Sequence, residues 1–325
     1  MISKIKKALN TRFYFDNWFV LLVEYVLNRV GFNVKLKAKI DNCVFEMDPE
    51  VFARFVSRAS RGLIKVKSIR CYDNNLLIND VQVNNIADVI YNIETWAKIL
   101  DWIYDKSCRC WAKENVKFIR IYPSILEVFE SGEYSFINVK NRIVIDIGAC
   151  IGDSSIYFAL RGAKKVIAIE PHPEAFKEMI ENINLNNLEG IVIPINAGLA
   201  SRPGEICVEN VDVNETIGAY HKLGGCDTLV PAITLADVIE RFAIDHRAVL
   251  KMDCEGCEFD VILNDYEHLR TFKELIFEYH LRASREPLSR LLAVLAKHYS
   301  CRIVRTKGDI LGTVHCVRRW ESVSE

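Results

Sequence analysis

Twelve residues, Val144-Ile-Asp-Ile-Gly-Ala-Cys-Ile-Gly-Asp-Ser-Ser155, constrain this chain more than any other stretch. They read as a buried strand over 143–147, a turn between Gly148 and Gly152, and a helix opening at Asp153. Glycine stands at two places where the backbone must bend sharply or lie against a ligand. Asp146 sits near the strand's end, two residues before the first glycine. Strand, glycine turn and helix, in that order, form the nucleotide-cofactor entrance of an open α/β sheet.

From residue 143 onward apolar strands alternate with amphipathic helices, the signature of a doubly wound, mostly parallel sheet. Strands are expected at 143–147, 165–169, 191–195, 248–252, 274–279, 299–304 and 312–318. Helices are expected at 153–161, 173–184, 234–242, 258–264 and 286–298. An extra strand fits between 204 and 213, and 218–225 reads as a loop. The 325 residues exceed one ordinary domain. A boundary near residue 135 divides a smaller α+β accessory domain, 1–135, from the seven-stranded domain, 136–325.

Shorter elements fill the first part. Phe15, Trp18, Phe19, Leu22, Val23, Val26 and Val30 recur at helical spacing, which predicts a helix over 14–30 with that stripe inward. Val34 to Ile40 alternates, with Lys35, Lys37 and Lys39 on one face, and reads as an edge strand paired with 43–47. Asp48-Pro49-Glu50 starts a helix that stops near Gly62. Strands at 64–71 and 76–83, joined through 73–75, precede a helix over 86–105. A strand at 116–121 and a short helix opening at Pro123 complete it.

Half the residues are hydrophobic, 26% are charged and the net charge is −1, so no overall field for nucleic acid exists. Residues 1–40 carry eight Lys/Arg against Asp16 and Glu24. This basic start is a candidate for peripheral contact with an anionic membrane, beside the plainer reading of a solvated helix face. The most apolar run, Trp18 to Val30, is interrupted by Glu24, Asn28 and Arg29 and is too short to cross a bilayer. Eleven cysteines lie in expected core strands or loops without a repeating framework. They read as small apolar residues in a reducing compartment, and the expected location is cytoplasmic. Cys254-x-x-Cys257 has half the spacing of a zinc site, but Cys108-x-Cys110 does not supply the other half. No metal is expected, and no disulfide within either pair.

The carboxylates choose the cofactor. Glu170 ends the second strand, where a doubly wound sheet meets the ribose of a nucleoside, and can accept from both hydroxyls. Asp146 and Asp153 flank the position a pyrophosphate would take, and two carboxylates there oppose NAD. Gly148-x3-Gly152 also lacks the third glycine of a dinucleotide fingerprint. S-adenosylmethionine is cationic and carries no phosphate, so the charges suit it. The third strand ends at Asn196-Ala197-Gly198, with room for an adenine ring and an amide for its edge. The fourth ends at Asp253, Cys254 and Glu255, over the reactive end of the cofactor. Glu278-Tyr-His280 ends the fifth, next door.

These segments resemble the FkbM-type class I S-adenosylmethionine-dependent methyltransferases. The resemblance is carried by Val144 to Asp153, Ile169-Glu-Pro-His-Pro-Glu-Ala-Phe176, Asn182-Ile-Asn-Leu-Asn186, Leu250-Lys-Met-Asp-Cys-Glu-Gly-Cys-Glu258 and Glu278-Tyr-His280. Ile125-Leu-Glu-Val-Phe129 with Gly132 and Tyr134 extends it, to about 122–282 in all. Cys150 stands where the family usually has Asn, and Cys254 and Cys257 where Val and Ala are typical. The resemblance implies a Rossmann-like class I fold, S-adenosylmethionine as cofactor, and O-methylation of a hydroxyl on a sugar, glycolipid or small metabolite. Candidate cofactor contacts are Asp146, Gly148, Ala149, Gly152, Asp153, Ser154, Glu170, Pro171, Asn196, Ala197 and Asp253. Candidate proton acceptors are His280 and Asp253, with Glu255 next, His280 because its ordinary pKa lies near neutrality. Rival readings are N-methylation on the same fold, a non-catalytic module that keeps the fold for binding, and a dinucleotide oxidoreductase.

Overall fold

A computed structural model describes residues 10–319, apart from 61, 64, 73–74, 209–212, 214–227, 282–285 and 307–309. The chain divides into two compact units, Met1–Tyr134 and Ser135–Glu325.

In the first unit helix α1 (Trp18–Arg29) runs beside strand β1 (Leu36–Ile40), which pairs with β2 (Cys43–Met47). Side chains near and on the helix hold the edge of β1. Asn17 accepts from the N–H of Lys39 and donates to the carbonyl of Lys37, and Glu24 accepts from the N–H of Lys37. The inward stripe expected on α1 is largely outside: Phe19 is 64% exposed, Val26 57% and Val30 65%, while Leu21 is buried. The helix is apolar almost all round, so periodicity could not select its buried face.

Helix α2 (Pro49–Ser60) follows, then β3 (Ile69–Tyr72), β4 (Asn75–Ile78) and β5 (Val81–Val83) in one antiparallel sheet. Three short strands thus replace the two expected. The helix expected over 86–105 is broken into α3 (Ile86–Tyr91) and α4 (Ile93–Ile99). Asn92 is extended and its side chain accepts from the N–H of Thr95, which starts a new helix. Ile103, expected inside that helix, opens β6 (Ile103–Asp105), which pairs with β7 (Cys110–Lys113) and through it with β8 (Val116–Phe118). Helix α5 (Pro123–Phe129) closes the unit.

The second unit holds the architecture that the strand–helix alternation predicts. Strands β9 (Ile143–Ile147), β10 (Lys165–Ile169), β11 (Val192–Ile195), β15 (Val249–Met252), β16 (Glu274–His280), β17 (Tyr299–Thr306) and β18 (Leu311–Arg318) form one sheet. The order is β11-β10-β9-β15-β16-β18-β17, with the first five parallel and β18 antiparallel to both neighbours. Ile145, Ile147, Ile167, Ile169, Leu250, Met252, Leu275 and Phe277 are fully or almost fully buried, as strands covered on both faces require. Helices α6 (Asp153–Leu160), α7 (Pro173–Leu185), α8 (Leu235–Phe242), α9 (Cys257–Asn264), α10 (Tyr266–Leu269) and α11 (Leu288–Leu295) connect the strands.

A satellite sheet of β12 (Gly198–Leu199), β14 (Thr228–Ile233) and β13 (Gly204–Val208) replaces the single extra strand expected. Gly198 lets its strands close up, since a Cβ there would sit 1.8 Å from Ile206 Cδ1. The loop expected at 218–225 lies outside the described residues.

The cysteine reading is overturned. Disulfides join Cys43 to Cys71, Cys108 to Cys110, Cys254 to Cys257 and Cys301 to Cys316, and Cys207 is also disulfide-bonded. These thiols are neither apolar filler nor half of a zinc site. The bridges share no spacing: Cys108–Cys110 and Cys254–Cys257 close short turns, whereas Cys301 and Cys316 are brought directly across from each other by the pairing of β17 and β18. Removing that cross-link with Cys301→Ala/Cys316→Ala, at a separation of 15 residues, is expected to cost about 3 kcal/mol. Guanidinium unfolding measures it; an unchanged midpoint would mean the bond does not form in solution.

Candidate active site

The sheet order reverses between β9 and β15, which opens a crevice outside the carboxyl ends of the parallel strands. Asp146 on β9 and Lys251 on β15 are register partners at that point. Asp146 is fully buried. Its Oδ1 lies 2.9 Å from Lys251 Nζ, and its Oδ2 accepts from the hydroxyls of Ser154 and Ser155, both at 2.6 Å. Burial alone would lower the Lys251 pKa, but Asp146, Asp253 and Asp153 outweigh it and hold it above its ordinary value. The ammonium also donates to the carbonyls of Ile147 and Gly148, at 3.3 and 3.0 Å.

This alters the case against a dinucleotide. Asp146 is neutralised by Lys251 and has no bare charge with which to repel a pyrophosphate. The exclusion rests instead on spent donors. Gly148 and Ala149 give their N–H groups to the carbonyl of Ile169, and Cys150 gives its own to Glu170 Oε2. Gly152 donates to Ala149, and the N–H of Ser154 goes to Asp153 Oδ1 at 2.8 Å. A phosphate cradle needs those groups pointing outward.

Both glycines of the turn have positive φ, 71° at Gly148 and 87° at Gly152. At each, protein fills the space a Cβ would take. A Cβ on Gly148 would meet the carbonyl oxygen of Asp253 at 1.8 Å, and one on Gly152 would meet Met179 Cγ at 2.9 Å. The glycines therefore seat the turn against β15 and α7. Ala149 and Asp153 are buried within it.

Glu170 follows β10, with Oε1 accepting from the N–H of His172 and Oε2 from that of Cys150, at 2.8 and 2.7 Å. Burial pushes its carboxyl up to about 7, against the opposing pull of those two N–H groups. Each carboxylate oxygen has a further acceptor direction, so two ribose hydroxyls can still be met. Asn196 donates its amide to the carbonyls of Glu170 and Pro171, at 2.9 and 3.1 Å. That amide braces the Glu170 turn and is not held out towards an adenine edge. Ala197 is buried.

Beyond β15 the chain turns through Asp253, Cys254, Glu255 and Gly256, with φ of 55° at Glu255 and 127° at Gly256. The Cys254–Cys257 disulfide closes this turn. Glu258, at the start of α9, is fully buried and accepts from the N–H groups of Cys254 and Gly256, at 2.9 and 2.8 Å. On the adjacent β16, Glu278 and His280 share a face. His280 Nε2 lies 3.3 Å from Glu255 Oε1 and 3.9 Å from both Asp253 Oδ1 and Glu278 Oε2.

The structure thus brings Asp253, Glu255 and His280 together, and adds Glu258 and Glu278, which sequence reasoning left without a role. An acid in the first turn of a helix after a glycine turn is a capping signal that could have marked Glu258. Burial opposes a charge on His280, but Glu258, Asp253 and Glu255 outweigh it and raise its pKa to about 9. A histidine held towards its protonated form is a poorer proton acceptor than its ordinary pKa suggests.

A seven-stranded sheet reversing at β9 and β15, with carboxylates at four neighbouring strand ends, is a class I methyltransferase fold. Residues 146–300 match the family model described as methyltransferase FkbM domain. Its cofactor is S-adenosylmethionine.

Hexuronic acid methyltransferase AglP of Haloferax volcanii is 26% identical over 155 residues, 47% of this chain and 62% of that protein. A tRNA(Phe) (4-demethylwyosine(37)-C(7)) aminocarboxypropyltransferase of Pyrococcus horikoshii is 36% identical over 99 residues, 30% of this chain and 36% of that protein. The chain therefore spans less than two thirds of either relative. Among solved structures, methyltransferase FkbM of Methylobacillus flagellatus KT gives a TM-score of 0.39 at 14% identity, over 71% of this chain and 60% of that one.

The donor set fits the cofactor: an acidic strand edge, Glu170 with acceptor directions to spare, and no outward phosphate cradle. Lys251→Met would leave Asp146 buried without its cation, at an expected cost of about 3–5 kcal/mol in urea unfolding. Asp146→Asn/Lys251→Met should recover most of it. Additive losses in the double variant would deny the pair.

Proposed function

We propose that the chain is an S-adenosylmethionine-dependent O-methyltransferase acting on a hydroxyl of a sugar or other small oxygenated acceptor. The observation that carries this is the acidic edge: Glu170, Asp253, Glu255 and Glu278 follow or end parallel strands on the side where such sheets bind ligands, while the N–H groups of Gly148, Ala149, Cys150 and Gly152 are spent. A sugar acceptor is supported by the relative named hexuronic acid methyltransferase.

Bound there, S-adenosylmethionine supplies a methyl group on a positively charged sulfur. Glu170 accepts from the ribose hydroxyls and so fixes the nucleoside. Asp253 and Glu255 lie at the opposite side of the switch point. Asp253 orients the incoming hydroxyl, and Glu255 receives its proton. Holding reactants in line is the larger part of such catalysis, and removal of the proton the smaller.

The test is calorimetry with S-adenosylhomocysteine across pH. A carboxyl held at about 7 is mostly ionised at pH 8 and mostly protonated at pH 6. Binding that needs the carboxylate should strengthen as pH rises through 7, with affinity about tenfold weaker at pH 6 than at pH 8. Glu170→Ala should bind weakly and lose that dependence. Wild-type affinity in the Glu170→Ala variant would overturn the cofactor site.

A further inference from the structure

We infer that the outward face of α1 docks on an anionic lipid bilayer, with its apolar stripe in the outer hydrocarbon and the cations around it at the headgroup phosphates. The inference rests on the first unit alone and does not depend on the methyltransferase reading.

The stripe is the first support. Phe19, Val20, Val23, Val26, Leu27 and Val30 are 37 to 65% exposed. At 3.6 residues per turn they fall within one arc of about 120° around the helix axis. No polar residue of the helix shares that arc. Phe13 before the helix and Phe32 after it are exposed too. Phe32 is tied back to the helix end, its N–H donating to the carbonyl of Leu27 at 3.0 Å. Single apolar residues scattered on a surface need no explanation, but a continuous stripe marks a contact.

The opposite face fixes the direction of the stripe. Leu21 is buried, Glu24 accepts from the N–H of Lys37, and Asn28 donates to the carbonyl of Val34 at 3.1 Å. These contacts hold the helix's rotation against β1 and the chain leading into it, so the stripe stays outward.

Charge selects the occupant. Arg12, Arg29, Lys37 and Lys39 are exposed, whereas Lys35 is paired with Glu46. Residues 10–40 hold five Lys/Arg against Asp16 and Glu24. Arg29 stands in the last turn of α1 itself, and the Arg12 guanidinium lies over the Phe13 ring at 4.7 Å. A second copy packed stripe to stripe would bring two sets of the same cations together. An uncharged apolar groove on a protein partner would leave them unmatched. An anionic bilayer meets both demands, with hydrocarbon for the stripe and phosphates for the cations. Twelve residues are too few to cross a bilayer, so the helix lies in the plane of the interface.

The test is flotation of the full chain with vesicles of phosphatidylcholine and phosphatidylglycerol in equal parts, beside vesicles of phosphatidylcholine alone. Binding to the anionic vesicles is expected, weakening as salt is raised. Val23→Asp/Val26→Asp should weaken it more than tenfold. Arg29→Gln and Lys37→Gln should each weaken it about fivefold. Leu229→Asp, at an exposed apolar residue of the second unit, should leave it unchanged. Circular dichroism and the urea midpoint check that each variant is folded.

No flotation with anionic vesicles, or equal flotation by Val23→Asp/Val26→Asp, would overturn the docking face. Equal binding to both kinds of vesicle would overturn the part given to charge. A dimer in sedimentation that vesicles leave intact and Val23→Asp/Val26→Asp dissociates would assign the stripe to a second copy instead. Flotation gained only when residues 1–9 are deleted would assign it to that segment. Failure of the protein to bind S-adenosylhomocysteine would sink the methyltransferase reading and leave the docking face standing.

Discussion

The ion pair between Asp146 and Lys251 is the constraint on which the rest of the candidate site depends. It joins β9 to β15 at the point where the strand order reverses. From there each partner reaches a different part of the site. Asp146 collects the hydroxyls of Ser154 and Ser155 and so draws the start of α6 onto the strand end. Lys251 binds the carbonyls of Ile147 and Gly148 and sets the path of the turn. With the path set, the turn's N–H groups fall on Ile169 and Glu170. The same geometry denies a phosphate its cradle and holds Glu170 in place.

Much of this was legible, though for partly mistaken reasons. Alternation of apolar strands and helices located the parallel sheet, because buried strands leave an unmistakable run of apolar residues. Asp146 drew notice as a carboxylate beside a glycine turn, yet its role followed from a lysine over a hundred residues away that only strand pairing brings near. Gly148 drew notice as a ligand contact, and its missing Cβ also admits the Asp253 carbonyl. The proton affinity of His280 was unreadable for a similar reason. Its acids come from the β15 turn and the start of α9 as well as from its own strand. Helix α1 failed differently, since a helix apolar on nearly every side gives periodicity nothing to choose by.

The cysteines make a separate point. Nine of them are paired among the described residues, where the spacing suggested a reducing compartment. Such pairing belongs either to an oxidising compartment or to the disulfide-rich interior of a hyperthermophile. No described helix is long and apolar enough to cross a membrane. The Cys254–Cys257 bond also has a local consequence: it braces the turn that carries Asp253 and Glu255 and ends at Glu258, so three acids of the site move as one unit.

Each role given to the strand edge requires the cofactor to lie across it from Glu170 to Asp253. A crystal structure of the complex with S-adenosylhomocysteine tests it most directly. The ribose hydroxyls should lie within hydrogen-bond distance of Glu170, with the sulfur directed towards Asp253 and His280. A ligand seated elsewhere, or one whose ribose makes no contact with Glu170, would contradict it.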